Sequence, residues 1–170
     1  MLSPVSLTEI NKQDLLKQIV HALKQVHQGA VDAASRAHDT ATAQENEAEN
    51  KYDTLGLEAA YLAHGQSQRV AECEVDLLAF DKLMLKRVAT HLQGVSSGAL
   101  FILKDEQGVE QTLFLGPAAG GLKISYMGRD VLVITPSAPL GKAVLGCLVG
   151  DEVDVMLAGQ KKYYQVIDIC

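Results

Sequence analysis

The sequence predicts an α+β protein in which a long antiparallel coiled-coil hairpin precedes a small β-rich domain with one short helix. None of the four prolines lies between Val5 and Gly116. Of the 14 glycines, four precede Val95 and ten follow it. Long helices tolerate neither residue well, whereas the turns between short strands need them. We therefore predict a helical segment over residues 1–95 and a β-rich domain over 96–170.

Apolar residues in the first helix recur at alternating intervals of three and four, the spacing of a helix that packs along one seam. They are Leu16, Ile19, Leu23, Val26, Ala30, Ala33 and Ala37. Because these side chains shrink from leucine to alanine, we expect the partner helix to come closer toward the far end of the seam.

A second apolar seam, in the following helix, predicts that partner. It consists of Ala63, Val70, Cys73, Leu77, Phe80, Met84, Val88 and His91, with Leu78, Leu85 and Leu92 widening the apolar face. The chain reverses between Asn46 and Leu57, where turn-forming residues cluster. Since the two seams cover each other within one chain, we expect a monomer.

Short apolar runs separated by glycine-containing turns predict six strands in the last third of the chain. The runs cover residues 99–104, 110–116, 122–126, 131–135, 152–157 and 162–169. The segment from Pro139 to Gly146 departs from this pattern, because Leu140, Ala143 and Val144 have helical spacing. Proline at the start and glycine at the end predict one short helix there.

The composition argues against several classes of function. A net charge of -6, a pI near 5.3 and the absence of tryptophan are unsuited to direct nucleic-acid binding. The histidines and the three cysteines lack metal-ligand spacing, so we expect free thiols and no metal site in the isolated protein. No apolar run is long enough to span a membrane, and we expect a cytoplasmic protein without membrane contact.

The excess negative charge is concentrated around the predicted turn of the hairpin. Residues 39–58 contain six carboxylates and one lysine. Such a segment can be a simple polar turn, or it can offer carboxylates to a cationic target such as Mg²⁺ or a basic channel. Composition alone leaves both interpretations open.

Two segments resemble the Gre-type (GreA/GreB) family of bacterial transcription elongation and transcript cleavage factors. The first is SAPLGKAVLGCLVGDEVDV (137–155), which matches the family's C-terminal signature. Its matching residues are Pro139, Lys142, Leu145, Gly146, Gly150, Asp151 and Val153. The second is ENEAENKYDT (45–54), which is similar to the family's acidic tip.

This resemblance implies an FKBP-like C-terminal domain that binds RNA polymerase through Ser137, Pro139 and Lys142. It also implies that the hairpin enters the polymerase's secondary channel. There an Asp-x-x-Glu pair at the tip helps to hold the catalytic Mg²⁺. The protein would have no cofactor and no active site of its own, and would act on that of the polymerase.

The tip departs from the family pattern at the acidic pair. Matching Glu49-Asn50 to the family's Glu-Asn places Asn46 where the aspartate belongs, and the alternative register, Glu45-Asn46, places Thr42 there. We therefore predict a polymerase-binding factor that modulates elongation and stimulates RNA cleavage weakly or not at all.

Two alternatives remain at the level of the sequence. One is a true cleavage stimulator in which Glu45, Glu47 or Glu49 supplies the missing acid. The other is an FKBP-like isomerase or chaperone, which requires a pocket lined with aromatic side chains.

Overall fold

The structure is a computed structural model that describes residues 6–46, 54–86 and 93–170. The predicted tip acids Glu47 and Glu49 lie outside these ranges, as do Val88, His91 and Leu92 of the second predicted seam. The side chains of residues 44–46 and 54–55, among them those of Glu45 and Asn46, lie outside the description as well.

Two long helices occupy the first half of the chain, as predicted. After a short 3₁₀ turn, α1 runs over Lys12–Asn46 and α2 over Thr54–Leu85. Asn11 caps α1, since its side-chain oxygen accepts hydrogen bonds from the backbone N–H groups of Gln13 at 3.0 Å and Asp14 at 3.2 Å.

The chain forms two compact units. One comprises His21–Leu78, the greater part of both helices. Within it, His27 of α1 faces Glu74 of α2, and Ala37 and Ala59 line one shared groove nearer the turn. These pairings run in opposite directions along the two helices, so the hairpin is antiparallel.

The other unit combines the chain up to Val20 with Ala79–Cys170 and contains a six-stranded sheet. The strands are β1 (Leu100–Asp105), β2 (Glu110–Leu115), β3 (Lys123–Tyr126), β4 (Arg129–Ile134), β5 (Glu152–Leu157) and β6 (Gln160–Ile169). Their order is β3-β4-β2-β1-β6-β5, and all neighbours are antiparallel except β2 and β4. The α+β class, the six strands and the short helix α3 (Pro139–Val144) agree with the sequence prediction.

One face of the sheet packs under α3. Side chains alternate between the two faces of each strand, and Phe101, Leu103 and Leu113 lie on the face that meets Val144 of α3. All four are buried, in a core that is mainly aliphatic, as the scarcity of aromatic residues predicts.

The opposite face packs against the end of α2 that belongs to the same unit. Phe114 of β2 stacks on Phe80 of α2 with ring centroids 6.4 Å apart. Leu15 and Leu16 of α1 are also completely buried. The sheet is therefore a central layer with helix on both sides, an arrangement that the sequence did not predict.

The hairpin seams needed two corrections. In α1, Val26 is exposed and the adjacent His27 is half-buried, because the true seam passes through Leu23, His27 and Ala30. In α2, Leu78 and Leu85 do not widen the packed face: both are exposed. Apolar side chains therefore remain exposed on α2 outside the hairpin seam.

Candidate functional site

The predicted polymerase-binding residues lie on one short segment before and within α3. Ser137, Pro139 and Lys142 are all exposed to solvent. Pro139 occupies the start of the helix after Ala138, whose backbone is extended, and its missing N–H costs nothing at that position. The structure thus brings the three residues together on an accessible surface.

The backbone of this segment is held firmly against the end of β4. The Thr135 carbonyl accepts a hydrogen bond from the Ala138 N–H at 3.1 Å, and the Thr135 and Ser137 hydroxyls are 2.9 Å apart. Gly141 packs so closely on Thr135 that a side-chain carbon would collide with its carbonyl oxygen. Glycine is therefore required for this short helix to sit on the strand end.

Lys142 supplies a free positive charge on this surface. Within the described ranges, no carboxylate lies within ion-pairing distance of its ammonium group. Its backbone N–H donates to the Ala138 carbonyl at 2.9 Å, which fixes the base of a side chain that points away from the core. A lysine without an internal partner is available to an acidic group on another protein.

The loop after α3 extends the surface with apolar side chains. Leu145, Leu148 and Val149 are each about half exposed. The loop is not loose, because Asp151 accepts a hydrogen bond from the Leu148 N–H at 2.8 Å and Gly146 donates to the Val95 carbonyl at 2.7 Å. We call Ser137, Pro139, Lys142, Leu145, Leu148 and Val149 the α3 surface.

Sequence reasoning missed Leu148 and Val149 as surface residues. Apolar residues between two glycines suggest core packing, and both would count as core by hydropathy. The available signal was the spacing of Gly146 and Gly150, whose positive φ angles of 82° and 95° mark a loop that turns twice within five residues.

Cys147 lies within this loop, and its surroundings do not favour the thiolate form. Burial raises the pKa of its thiol, and the negative charge of Asp151 raises that pKa further. The thiol therefore stays protonated near neutral pH, whereas a reactive cysteine needs the opposite shift. As expected, all three cysteines are free thiols.

At the other predicted site, the acids follow the end of α1. The backbone of Glu45 and Asn46 forms the last turn of this helix, which contains no basic residue. Carboxylates near the C-terminal end of a helix are unfavourable, because the helix dipole is negative there. Helix stability therefore does not explain why acidic residues are concentrated at this position.

Thr42, the other candidate for the position of the tip aspartate, forms hydrogen bonds within its own helix. Its hydroxyl bonds back to the carbonyls of His38 at 3.0 Å and Asp39 at 3.1 Å. These bonds are local to α1 and leave the lone pairs of the hydroxyl oxygen available, so both registers of the tip stay predictions.

Most aromatic side chains in the described part of the β-rich unit do not line an open pocket, because Phe101 and Phe114 are fully buried and Tyr126 nearly so. Tyr163 and Tyr164 do line an open groove of about 300 Å³, but its other lining residues are charged or polar: Lys104, Asp105, Glu106, Glu152 and Gln165. A groove of about 420 Å³ at β2, β3 and β4 is lined by charged and aliphatic side chains, including Lys123 and Asp130. Such a lining does not suit a proline ring.

No protein-family model and no curated protein match the chain. Solved structures do. GreA factor homolog 1 (Gfh1) of Thermus thermophilus is 22% identical, with 93% of this chain and 94% of that chain covered and a TM-score of 0.36. Gfh1 of Thermus aquaticus is 21% identical, with 86% and 92% covered and a TM-score of 0.36.

A third solved structure is the prokaryotic transcription elongation factor GreA/GreB from Nitrosomonas europaea. It is 20% identical, with 54% of this chain and 78% of that chain covered and a TM-score of 0.35. These names belong to the family that the two sequence segments resemble.

None of the helices among the described residues is long and apolar enough to cross a membrane. No group of three or more histidine, cysteine or acidic side chains among them is placed to hold a metal ion.

Proposed function

We propose that the protein binds RNA polymerase through the α3 surface and places the acidic turn of its hairpin in the secondary channel, where it modulates elongation. The observation that carries the proposal is the α3 surface itself. There Ser137, Pro139 and Lys142, the residues of the family-like motif, are exposed on a backbone that is held in place.

The chemistry of the α3 surface suits a protein partner. An unpaired lysine next to half-exposed apolar side chains, on a well-ordered backbone, combines charge steering with apolar burial. The lysine would attract an acidic group, and Leu148 and Val149 would lose water on contact. Neither feature stabilises the isolated domain.

The acidic turn fits the second part of the proposal. Carboxylate and amide oxygens, which Glu45, Asn46, Glu47 and Glu49 provide, are the ligands that Mg²⁺ accepts. In the polymerase, a bound Mg²⁺ supplies metal-assisted phosphodiester hydrolysis. The residues of this chain would contribute negative charge beside that ion and occupy the path to it.

The experiment is a binding assay with core RNA polymerase. The double variant Pro139→Ala/Lys142→Glu should bind at least tenfold more weakly, because it removes both the fixed helix start and the free charge. Lys162→Glu is the control for the change of charge, since Lys162 is also exposed and lies on β6. Circular dichroism should show both variants folded.

The proposal fails if the natural protein does not associate with the polymerase at physiological salt. If it associates but the double variant binds as well as the Lys162→Glu control, the assignment of the α3 surface is wrong.

A further inference from the structure

The first turn of α1 is attached to the sheet at two places. On one side, the ammonium group of Lys12 donates a hydrogen bond to the carbonyl of Cys170, the residue after β6, at 2.9 Å. On the other side, the carboxylate of Asp14 accepts a hydrogen bond from the hydroxyl of Tyr126, the last residue of β3, at 3.0 Å. All four residues belong to the compact unit that contains the sheet.

These two attachments hold α1 from opposite sides. Since each residue turns a helix by about 100°, the side chains of Lys12 and Asp14 leave the helix about 200° apart. The strands that they reach are also separated, because β4, β2 and β1 lie between β3 and β6 in the sheet. A helix held by one bond can still turn about its axis, whereas two bonds on opposite sides restrict that rotation.

The Tyr126 hydroxyl contributes a directed bond and little packing. Tyr126 is 8% exposed, and a phenylalanine ring would fill nearly the same space. Burial raises the pKa of the Tyr126 phenol, and the hydrogen bond to Asp14 raises that pKa further, so the hydroxyl stays protonated and donates at neutral pH. Asp14 itself is exposed, so water can satisfy its carboxylate without this bond.

The attached turn is the start of the helix that leads to the acidic turn. Helix α1 is continuous from Lys12 to Asn46, so a rotation of its first turn about the helix axis is carried along the helix. The α3 surface belongs to the same compact unit as the bond between Tyr126 and Asp14. The unit that would bind the polymerase therefore also restricts the rotation of the helix that precedes the acidic turn.

We infer that Tyr126 is a positioning residue: through Asp14 it fixes the rotation of α1, and with it the side of the acidic turn that faces the active site of the polymerase. The inference rests on the proposed function. It adds a requirement to that function, because Tyr126 and Asp14 lie in neither the α3 surface nor the acidic turn.

The test measures elongation by core RNA polymerase at increasing concentrations of the natural protein and of Tyr126→Phe. Both proteins should reach half of their effect at the same concentration, because the α3 surface is unchanged. The maximal effect of Tyr126→Phe on the elongation rate should fall by about half or more, because the bound protein no longer holds the acidic turn in one orientation. A bond that only stabilised the fold would change neither value in a folded protein.

The matched control is Tyr164→Phe, since Tyr164 is 7% exposed and the variant removes the same hydroxyl from another strand, β6. It should leave both values unchanged. Asp14→Asn keeps an oxygen that accepts the hydrogen bond and should retain most of the effect, whereas Asp14→Ala should match Tyr126→Phe. Because both changes remove one and the same bond, the double variant Asp14→Ala/Tyr126→Phe should be no weaker than either single variant.

A second measurement uses the isolated protein and does not need the polymerase. Amide hydrogen exchange in the first two turns of α1 should be about threefold faster or more in Tyr126→Phe than in the natural protein, because one of the two attachments is lost. In Tyr164→Phe it should be unchanged. Circular dichroism should show that every variant is folded under the conditions of the assay.

Four results would overturn the inference. They are an unchanged maximal effect of Tyr126→Phe, a change in its half-maximal concentration alone, an equal loss in Tyr164→Phe, and unchanged hydrogen exchange in α1. If the natural protein has no effect on elongation at any concentration, the proposed function fails and the inference fails with it. If the natural protein acts and Tyr126→Phe acts equally well, only the inference fails.

Discussion

The ammonium group of Lys12 donates a hydrogen bond to the backbone carbonyl of Cys170 at 2.9 Å, across 158 positions of the chain. The same carbonyl accepts the Leu100 N–H at 3.0 Å, so it serves both the sheet and the first turn of α1. Lys12 is only 1% exposed. A lysine buried to this degree makes the stability of the unit depend on pH.

Lys12 should make the protein more stable as the pH rises above 8. Burial lowers the pKa of Lys12 from 10.5 to about 8, although the negative charge at Cys170 acts in the opposite direction. Between these two values the unfolded chain binds the proton and the folded chain does not, so rising pH favours the folded state. Well below pH 8 Lys12 is charged in both states, so its contribution no longer changes with pH.

The measurement is the free energy of unfolding in urea for the natural protein and for Lys12→Met, at about pH 7 and about pH 10. The difference between the two proteins should change by about 2 to 3 kcal/mol in favour of the natural protein at the higher pH. Taking the difference between the two proteins cancels the contributions of all other titrating groups. Parallel pH curves would show that Lys12 titrates normally.

Gly116 should not tolerate alanine. A side-chain carbon there would lie 2.9 Å from both the Phe80 ring and a Val133 methyl group. Both neighbours are buried in the face of the sheet where Phe80 stacks on Phe114. Gly116→Ala should therefore cost about 1 to 3 kcal/mol of unfolding free energy.

A double-mutant cycle with Phe80→Leu separates this collision from a general effect of glycine. Because leucine leaves room where the ring was, the cost of Gly116→Ala should fall in the Phe80→Leu background, but not vanish, since the Val133 methyl group still lies 2.9 Å away. An equal cost in both backgrounds would exclude the collision with Phe80 as a cause.

Gly29 and Gly65 should behave in the opposite way. Both lie in helix interiors, and a side-chain carbon at either would meet no atom within 4 Å. Alanine loses less backbone entropy on folding than glycine, so each replacement should stabilise the protein by about 0.5 to 1 kcal/mol. Urea unfolding of the single and double variants tests this, and a loss of stability would reveal a packing role for these glycines.

The sequence predicted the helices, the six strands and α3 because each has a strong local signal. Periodicity identifies α1 and α2, and Pro139 marks the start of α3. Local signals do not decide which of two adjacent residues faces the partner helix. In α1, His27 and not Val26 therefore faces the partner helix, because the true seam is displaced by one residue there.

The parts that the sequence did not predict depend on contacts between distant segments. Nothing near Lys12 indicates burial, which arises only when Cys170 reaches it. Likewise, hydropathy does not distinguish Leu78, which is exposed, from the half-buried Leu77, because the two are adjacent residues of the same type. At the α3 surface, by contrast, the motif predicted Ser137, Pro139 and Lys142 as site residues, and all three are accessible.

The last prediction concerns the charge that the acidic turn can bring to a metal ion. In the register that matches Glu49-Asn50 to the family pattern, Glu49 supplies one negative charge and Asn46 supplies a neutral amide. An amide binds Mg²⁺ less strongly than a carboxylate does. In a cleavage assay with backtracked RNA polymerase complexes, the natural protein should therefore stimulate cleavage weakly or not at all, and Asn46→Asp should raise the rate about tenfold or more.

Two further variants decide whether position 46 itself matters. Gln44→Glu adds the same charge two residues away and should leave cleavage unchanged, because the added carboxylate is not at the aspartate position. Glu49→Gln should abolish both the residual activity and the gain from Asn46→Asp, since it removes the other carboxylate of the pair. Strong cleavage by the natural protein that neither Asn46→Asp nor Glu49→Gln alters would mean that Glu45 or Glu47 faces the metal. The register assigned to the tip would then be wrong.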